Sequence, residues 1–296
     1  MKKASSGADA VFQVVRRVGQ FELIKHLNPS RQKLMRQVFE HPRDYVLLSA
    51  RQLAGRLERD SATLIRTVRA MGFRSYREFQ HYLHELSVAH ATPLDLMQTA
   101  VVLNSNLPAY ARESLDRDSK NLHLLRQNLD FMRVLALVRK LYSARQILIL
   151  GGDHAASLAD YLQYSLSMIG LPALSAMTPG HVVHASRNVT RNDVVIGITF
   201  GRGLRQTAEG LKQARRNGAY CVGIADTLLS PLAQNAHEFF MTSTESPSFA
   251  GSYVAPLALL NVLLVTCANY RRARTIAQLK KAEEEQRTGF RWCIEE

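Results

Sequence analysis

Ser49-Ala-Arg-Gln-Leu53-Ala54-Gly-Arg-Leu57, Glu58-Arg59-Asp60, Ser61-Ala-Thr63-Leu64-Ile65-Arg66-Thr67-Val68-Arg69-Ala-Met71-Gly72 is the stretch on which the reading of this chain turns. Two short apolar-periodic segments flank a polar break. Ser49 is placed to cap a first helix, Ala50 to Leu57, and Asp60 or Ser61 a second, about Ala62 to Met71. Gly72 is a natural left-handed stop. Leu53, Ala54 and Leu57 make the inner face of the first helix, and small Ala54 permits close approach of the second. Leu64, Ile65, Val68 and Met71 turn inward, which leaves Ser61, Thr63, Arg66, Thr67 and Arg69 on outer or flanking positions. In such a helix-turn-helix the N-terminal half of the second helix enters the DNA major groove. Arg66 then suits the paired contacts to guanine, and Ser61 and Thr63 suit bases or phosphates. With Ser49, Arg51, Thr67 and Arg69 they form the candidate DNA-binding set, and Arg51, Arg56, Arg74 and Arg77 suit phosphate positioning. A plain helical hairpin with arginines on its wet face has the same pattern.

Charge favours the first alternative. The 296 residues hold 38 Lys+Arg against 25 Asp+Glu, a net +13. Residues 1–90 carry 16 Lys+Arg and 8 Asp+Glu, so a third of the chain holds a surplus of 8. A basic segment on a near-balanced body looks like an attached nucleic-acid module, because cationic side chains displace counterions from phosphate backbones. Cys221, Cys267 and Cys293 are odd in number and widely spaced, without a CxxC pair; they fit a reducing compartment and support neither a disulfide framework nor a zinc site. Residues 1–10 do not read as a signal peptide, and no apolar run approaches the length of a membrane span. A cytoplasmic location is expected, with no membrane partner and no cofactor.

Working outward, residues 1–10 read as a disordered tail and residues 11–90 as the helical domain. A helix is expected from about Val11 to His26, then one capped by Ser30 and ended at His41-Pro42, and a last one near Tyr76–Leu86. Residues 91–143 read as a helical linker interrupted at Pro108. In it Leu122, Leu125, Leu129, Met132, Leu135, Leu137 and Val138 form one amphipathic stripe. From 144 to 270, apolar runs alternate with helical segments. Strands are expected at 146–150, 173–176, 193–199, 220–224 and 238–241, with helices at about 154–169, 180–187, 206–217 and 253–270. Strands apolar on both faces imply a doubly wound parallel sheet covered on both sides. The fold class is therefore α followed by α/β. Residues 271–296 read as a charged, exposed tail.

The segment Leu27-Asn-Pro-Ser-Arg-Gln-Lys-Leu, with Ser49-Ala-Arg-Gln-Leu-Ala, Ala62-Thr63-Leu-Ile-Arg66 and Met71-Gly72-Phe73-Arg-Ser-Tyr76-Arg-Glu78-Phe79, resembles the N-terminal domain of RpiR/MurR-type regulators. The family's turn usually reads Gly-Val-Ser where this chain has Glu58-Arg59-Asp60. Residues 144–151, 192–199, 218–226 and 229–232 resemble the SIS (sugar isomerase) domain that completes such regulators. The resemblance implies ligand binding beyond the C-terminal strand ends, where helix N-termini offer N–H groups to an anion. Sugar-phosphate binders of the family usually carry Gly-x-Gly-x-Ser after the first strand and Ser-x-Ser-Gly-x-Thr after the third. Here Asp153 and Ala155 replace the second Gly and the Ser, and only Thr199 keeps a hydroxyl in the second loop. Arg202, Arg205 and Thr207 take its place. Arginines there suit a carboxylate or phosphate, or face solvent or bridge subunits. Asp153 could equally be their ion-pair partner. Gly152, Asp153, His154, Thr199, Arg202, Arg205, Thr207 and Glu245 form the candidate effector set, for a small anionic metabolite.

His181 and His184, three apart on a helix, suit a metal or plain packing, and no third ligand is near in sequence. A sugar-phosphate isomerase is the rival from another class. It needs a general base over the bound sugar, and Glu209 alone is no catalytic set. The resemblance thus implies a DNA-binding regulator, not an enzyme, with double-stranded DNA and a small effector as partners. It is expected to act as a homodimer or homotetramer on near-palindromic sites.

Overall fold

The computed structural model describes residues 23–40, 42–46, 48–89, 93–94, 97, 107–201, 203–228 and 230–287. Most of the helix expected at 11–26, the tail 1–10, Arg202 and Cys293 lie outside the described residues.

Among the described residues, five helices make up the N-terminal unit: α1 Pro29–Glu40, α2 Pro42–Val46, α3 Ala50–Arg56, α4 Ser61–Ala70 and α5 Tyr76–Ala89. Asn28, not Ser30, caps α1, since its Oδ1 accepts the Arg31 N–H at 2.9 Å. Pro42 does end α1, but it also opens the short α2, as a proline suits a first helical turn. Met35, Val38, Leu53, Leu64, Val68, Phe79 and Leu83 fill the core, and Phe39, Phe73, Phe79 and Tyr82 stack edge-on or tilted within it. The Tyr76 hydroxyl donates to the Leu48 carbonyl at 2.8 Å, and the Gln80 amide to the Val46 carbonyl at 2.8 Å; both tie α5 to the segment entering α3.

Among the described residues, α6 Leu107–Asn128 and α7 Phe131–Ser143 come next as full helices. α6 opens at Leu107, beside the expected interruption, and residues 98–106 ahead of it lie outside the described residues. Pro108 lies in the first turn of α6, where its missing N–H costs nothing. A further break, not expected, falls at Leu129-Asp130, and the Asp130 carboxylate caps α7 by accepting the Met132 N–H at 2.8 Å. The stripe is therefore divided: Leu125, Leu137 and Val138 are buried, Leu122 and Met132 exposed.

The sheet unit runs β1 Ile147–Leu150, α8 His154–Met168, β2 Ala173–Ala176, α9 Pro179–Arg187, β3 Val194–Ile198, α10 Arg205–Arg216, β4 Tyr220–Ala225, β5 Glu238–Met241, α11 Val254–Tyr270, α12 Arg272–Arg287. All pairings are parallel, in the order β2-β1-β3-β4-β5. Each expected strand and helix is present within about two residues. β1 and β3 are buried along their whole length, which is why they read as continuous apolar runs. Ile147, Ile149, Ile196 and Val222 face the layer of α7, α8 and α11. Leu148, Leu150, Val195 and Cys221 face that of α9 and α10. The thiols of Cys221 and Cys267 are fully buried, and desolvation pushes both up to about 12. The charged tail forms a helix of its own, α12, bent by 99° from α11. Among the described residues no single helix is long and apolar enough to cross a membrane.

Candidate functional site

The helix pair at 50–70 is held by local devices at each end. Ser49 Oγ accepts the Gln52 N–H at 3.3 Å, and Gln52 Oε1 accepts the Ser49 N–H at 2.9 Å, a complete capping box. The Arg59 N–H reaches back to the Ala54 carbonyl and the Glu58 N–H to the Gly55 carbonyl, at 2.9 and 3.1 Å. That closure needs a left-handed residue at 58, and Glu58 takes it with φ 54°. The position where the family usually has glycine keeps its backbone but not its residue. Asp60, not Ser61, caps α4, with Oδ1 2.7 Å from the Thr63 nitrogen. Thr63's hydrogen bonds, side chain first, hold the Asp60 carboxyl below its ordinary range. Gly72, at φ 96°, closes α4 through the Phe73 N–H bond to the Val68 carbonyl.

Ser61, Arg66 and Arg69 are exposed on α4, Thr63 is half-buried, and Arg51 is exposed on α3. Arg66 lies back along its own helix, donating Nε to the Ala62 carbonyl at 3.3 Å and Nη2 to Thr63 Oγ1 at 3.2 Å. The expectation for Thr67 is corrected. It is 1% exposed, because it lies one turn from Leu64 and beside Val68, and its hydroxyl is satisfied by the Thr63 carbonyl at 2.8 Å. Ser49 is spent largely on its capping box. Arg31 of α1 and Arg59 of the turn line one groove with Thr63. Sequence reasoning did not bring Arg31 there, because nothing in the spacing announces a contact across thirty residues.

The second candidate site lies at the C-terminal ends of β1 and β3, where the strand order reverses direction. Gly151 must be glycine: a Cβ there would meet the Ala155 carbonyl oxygen at 2.7 Å. Asp153 has φ 48° and ψ −131°, a region natural to glycine, so the lost second glycine again leaves its conformation behind. His154 opens α8, with its ring 5.8 Å from that of Tyr253, which in turn packs edge-on to Phe200 at 5.3 Å. Thr199 is buried and its Oγ1 accepts the Leu204 N–H at 3.2 Å, closing its own loop. Leu204 then packs over Gly152, reaching to 2.3 Å of where a Cβ would stand. Gly152, one of the candidate effector residues, is therefore covered by an apolar side chain. Arg205 is exposed in the first turn of α10. Thr207 is fully buried there, and its hydroxyl has no hydrogen-bond partner among the described residues. Glu245 does not face these loops: its carboxylate is engaged by Arg117 and Lys120 of α6 at 3.3 and 3.4 Å. Glu209 is paired with Lys212 at 3.6 Å. His181 and His184 are both exposed on α9.

One residue of this site went unremarked in the sequence. Asp226, following β4, accepts the Gly201 N–H at 2.9 Å and the Thr244 hydroxyl at 3.1 Å, both on Oδ2. Its Oδ1 is buried without a partner among the described residues. Burial pushes this carboxyl up despite the two hydrogen bonds. Burial, then the charges of Asp226 and Asp153, raise the Tyr253 phenol as well, so the two carboxylates and the phenol share one neighbourhood.

Residues 140–266 match the SIS domain family. Over 81% of its length this chain is 22% identical to an HTH-type transcriptional regulator of Haemophilus influenzae, 83% of which is covered. Among solved structures, the sugar isomerase domain of an RpiR transcription factor from Sphaerobacter thermophilus is 23% identical. It matches with a TM-score of 0.57 over 60% of this chain and 98% of its own. The Vibrio vulnificus NanR protein complexed with ManNAc-6P is 18% identical, with a TM-score of 0.56 over 95% of this chain and all of its own. Residues 140–266 thus match a SIS domain, and along most of its length the chain is similar to an HTH-type transcriptional regulator, with the capped helix pair at 50–70 ahead of the sheet.

Proposed function

We propose that this chain is a DNA-binding transcriptional regulator whose operator affinity is set by a small metabolite held at the strand ends of its SIS domain. One observation carries the reading: a fully capped second helix presents Ser61, Arg66 and Arg69 to solvent on a basic N-terminal unit. Arg66 is the base-reading residue, with Ser61 and Thr63 beside it; Arg31, Arg51, Arg59 and Arg69 hold phosphates. The chain performs no catalysis at the SIS site. The one carboxylate on α10 that sequence offered, Glu209, is committed to Lys212 on the helix surface.

The effector is a small anion. NanR is complexed with ManNAc-6P, a sugar phosphate. Here the serine hydroxyls of the usual phosphate loops are gone and Leu204 covers Gly152, so the anion relies on Arg202 and Arg205 and on the first turn of α10. Two copies pair, in support of which α8 and α11 expose Tyr161, Met168, Leu257 and Val265 along faces joined by the Tyr161–Asn261 hydrogen bond.

The test is to sequence genomic DNA retained by the purified chain at physiological salt. A recurring near-palindrome is expected, and Arg66→Ala should abolish its selection while leaving weak, sequence-independent binding. Unchanged site preference in Arg66→Ala would remove the base-reading role. Calorimetric titration with sugar phosphates and organic acids reads the effector, and binding of neutral ligands alone would remove the arginine role.

A further inference from the structure

The loop after β5 is bonded on two opposite sides. Ser243, Thr244 and Glu245 are consecutive, and their side chains alternate. Thr244 turns to Asp226 at the strand ends, while its two neighbours turn to α6. Ser243 Oγ donates to Asn121 Oδ1 at 2.7 Å, and Asn121 Nδ2 donates to the Glu245 carbonyl at 2.8 Å. Asn121 is 0% exposed in the middle of α6. A buried amide is costly unless bonded at both ends, and a leucine there would pack without that condition. The exposed ion pairs of Glu245 with Arg117 and Lys120 add little by comparison.

We propose that Asp226 and Asn121 form a relay that couples the loops at the strand ends to α6. The chain of contacts is continuous: Gly201 N–H to Asp226 Oδ2, Thr244 hydroxyl to the same oxygen, one peptide step to Ser243 and Glu245, then Asn121. Gly201 belongs to the loop after β3, which also carries Thr199 and Leu204. The free Oδ1 of Asp226 is the acceptor that a ligand hydroxyl or ammonium meets there. A donor arriving at Oδ1 redistributes the hydrogen bonds on Oδ2, and Thr244 cannot shift without moving both residues that grip α6. In chain order α6 lies between the N-terminal helices and the sheet, directly ahead of α7. The relay rests on the effector reading above, and it adds the residues through which occupancy is passed on.

Hydrogen–deuterium exchange on the full-length chain tests it without any ligand. Asp226→Asn keeps the shape and weakens the acceptor for Gly201 and Thr244. It should speed exchange of the amides of 107–128 by about fivefold, the effect of one lost hydrogen bond on a local opening. In an Asn121→Leu background the same substitution should add nothing. Ser243→Ala, which removes the bond to Asn121 and the 3.3 Å bond from the Glu245 N–H, serves in its place if Asn121→Leu does not fold by circular dichroism. Unaltered exchange in 107–128, or equal increments with and without Asn121, would overturn the relay. The DNA-retention experiment separates the two readings. Coupled exchange in a chain with no sequence preference keeps the relay and sinks the regulatory role; sequence preference with independent exchange does the reverse.

Discussion

Glu58 and Asp153 share an oddity, since both hold a positive φ without being glycine. An L-residue in that region is strained by about 1–2 kcal/mol. Glu58→Gly should raise the denaturant midpoint of the N-terminal unit by an amount worth about 1 kcal/mol, after allowing for the larger freedom of glycine in the unfolded chain. A lower midpoint would mean that the Glu58 side chain earns its place by contacts. Single residues were legible where a backbone rule decides them. Gly72 as the stop of α4 and Ser49 as the cap of α3 are of that kind. Thr67 was misread because its hydroxyl was weighed above its helical phase; three residues from Leu64, it has no choice but to face inward, and the Thr63 carbonyl makes that affordable. Asp226 gave no local signal at all, as its partners sit at 201 and 244.

Elements were legible to the extent that their periodicity is unbroken. The inner strands β1, β3 and β4, buried almost throughout, were readable as apolar runs and the helices between them as spacers, while the edge strands β2 and β5 keep one exposed residue each. The joint between α6 and α7 was not, because the leucine stripe continues through it in sequence, and only the Asp130 cap divides it. Caps also set a pH dependence. Asp60 is held below 3.8 when folded, so its contribution to α4 is fully present above that value and disappears as pH falls through the lowered folded pKa. Asp60→Asn still caps but does not titrate. Thermal melts at neutral pH and at about pH 3 should therefore show a smaller acid loss for the variant than for the wild type. Equal losses would assign the acid sensitivity elsewhere, Asp193 being the next carboxyl with a lowered value.

At the scale of the whole molecule, order along the chain carried most of the reading: a basic helical unit, a helical connection, then a parallel sheet whose order 2-1-3-4-5 fixes where a ligand can lie. What the chain order could not announce is that residues 243–245 bond Asp226 on one side and Asn121 on the other, from segments far apart in sequence. The two buried thiols give this molecule an internal stopwatch. Cys221 lies against the α10 layer, Cys267 in α11 on the opposite face, and at neutral pH each is almost wholly protonated, with a value pushed up to about 12. Neither reacts quickly with an alkylating agent while its layer stays closed. Peptide-resolved alkylation should then report the opening of each face separately, both slow in the folded chain and accelerating together through the melt. Rapid labelling of Cys267 alone would reveal that the α11 side breathes on its own, so that the two coverings of the sheet come away independently.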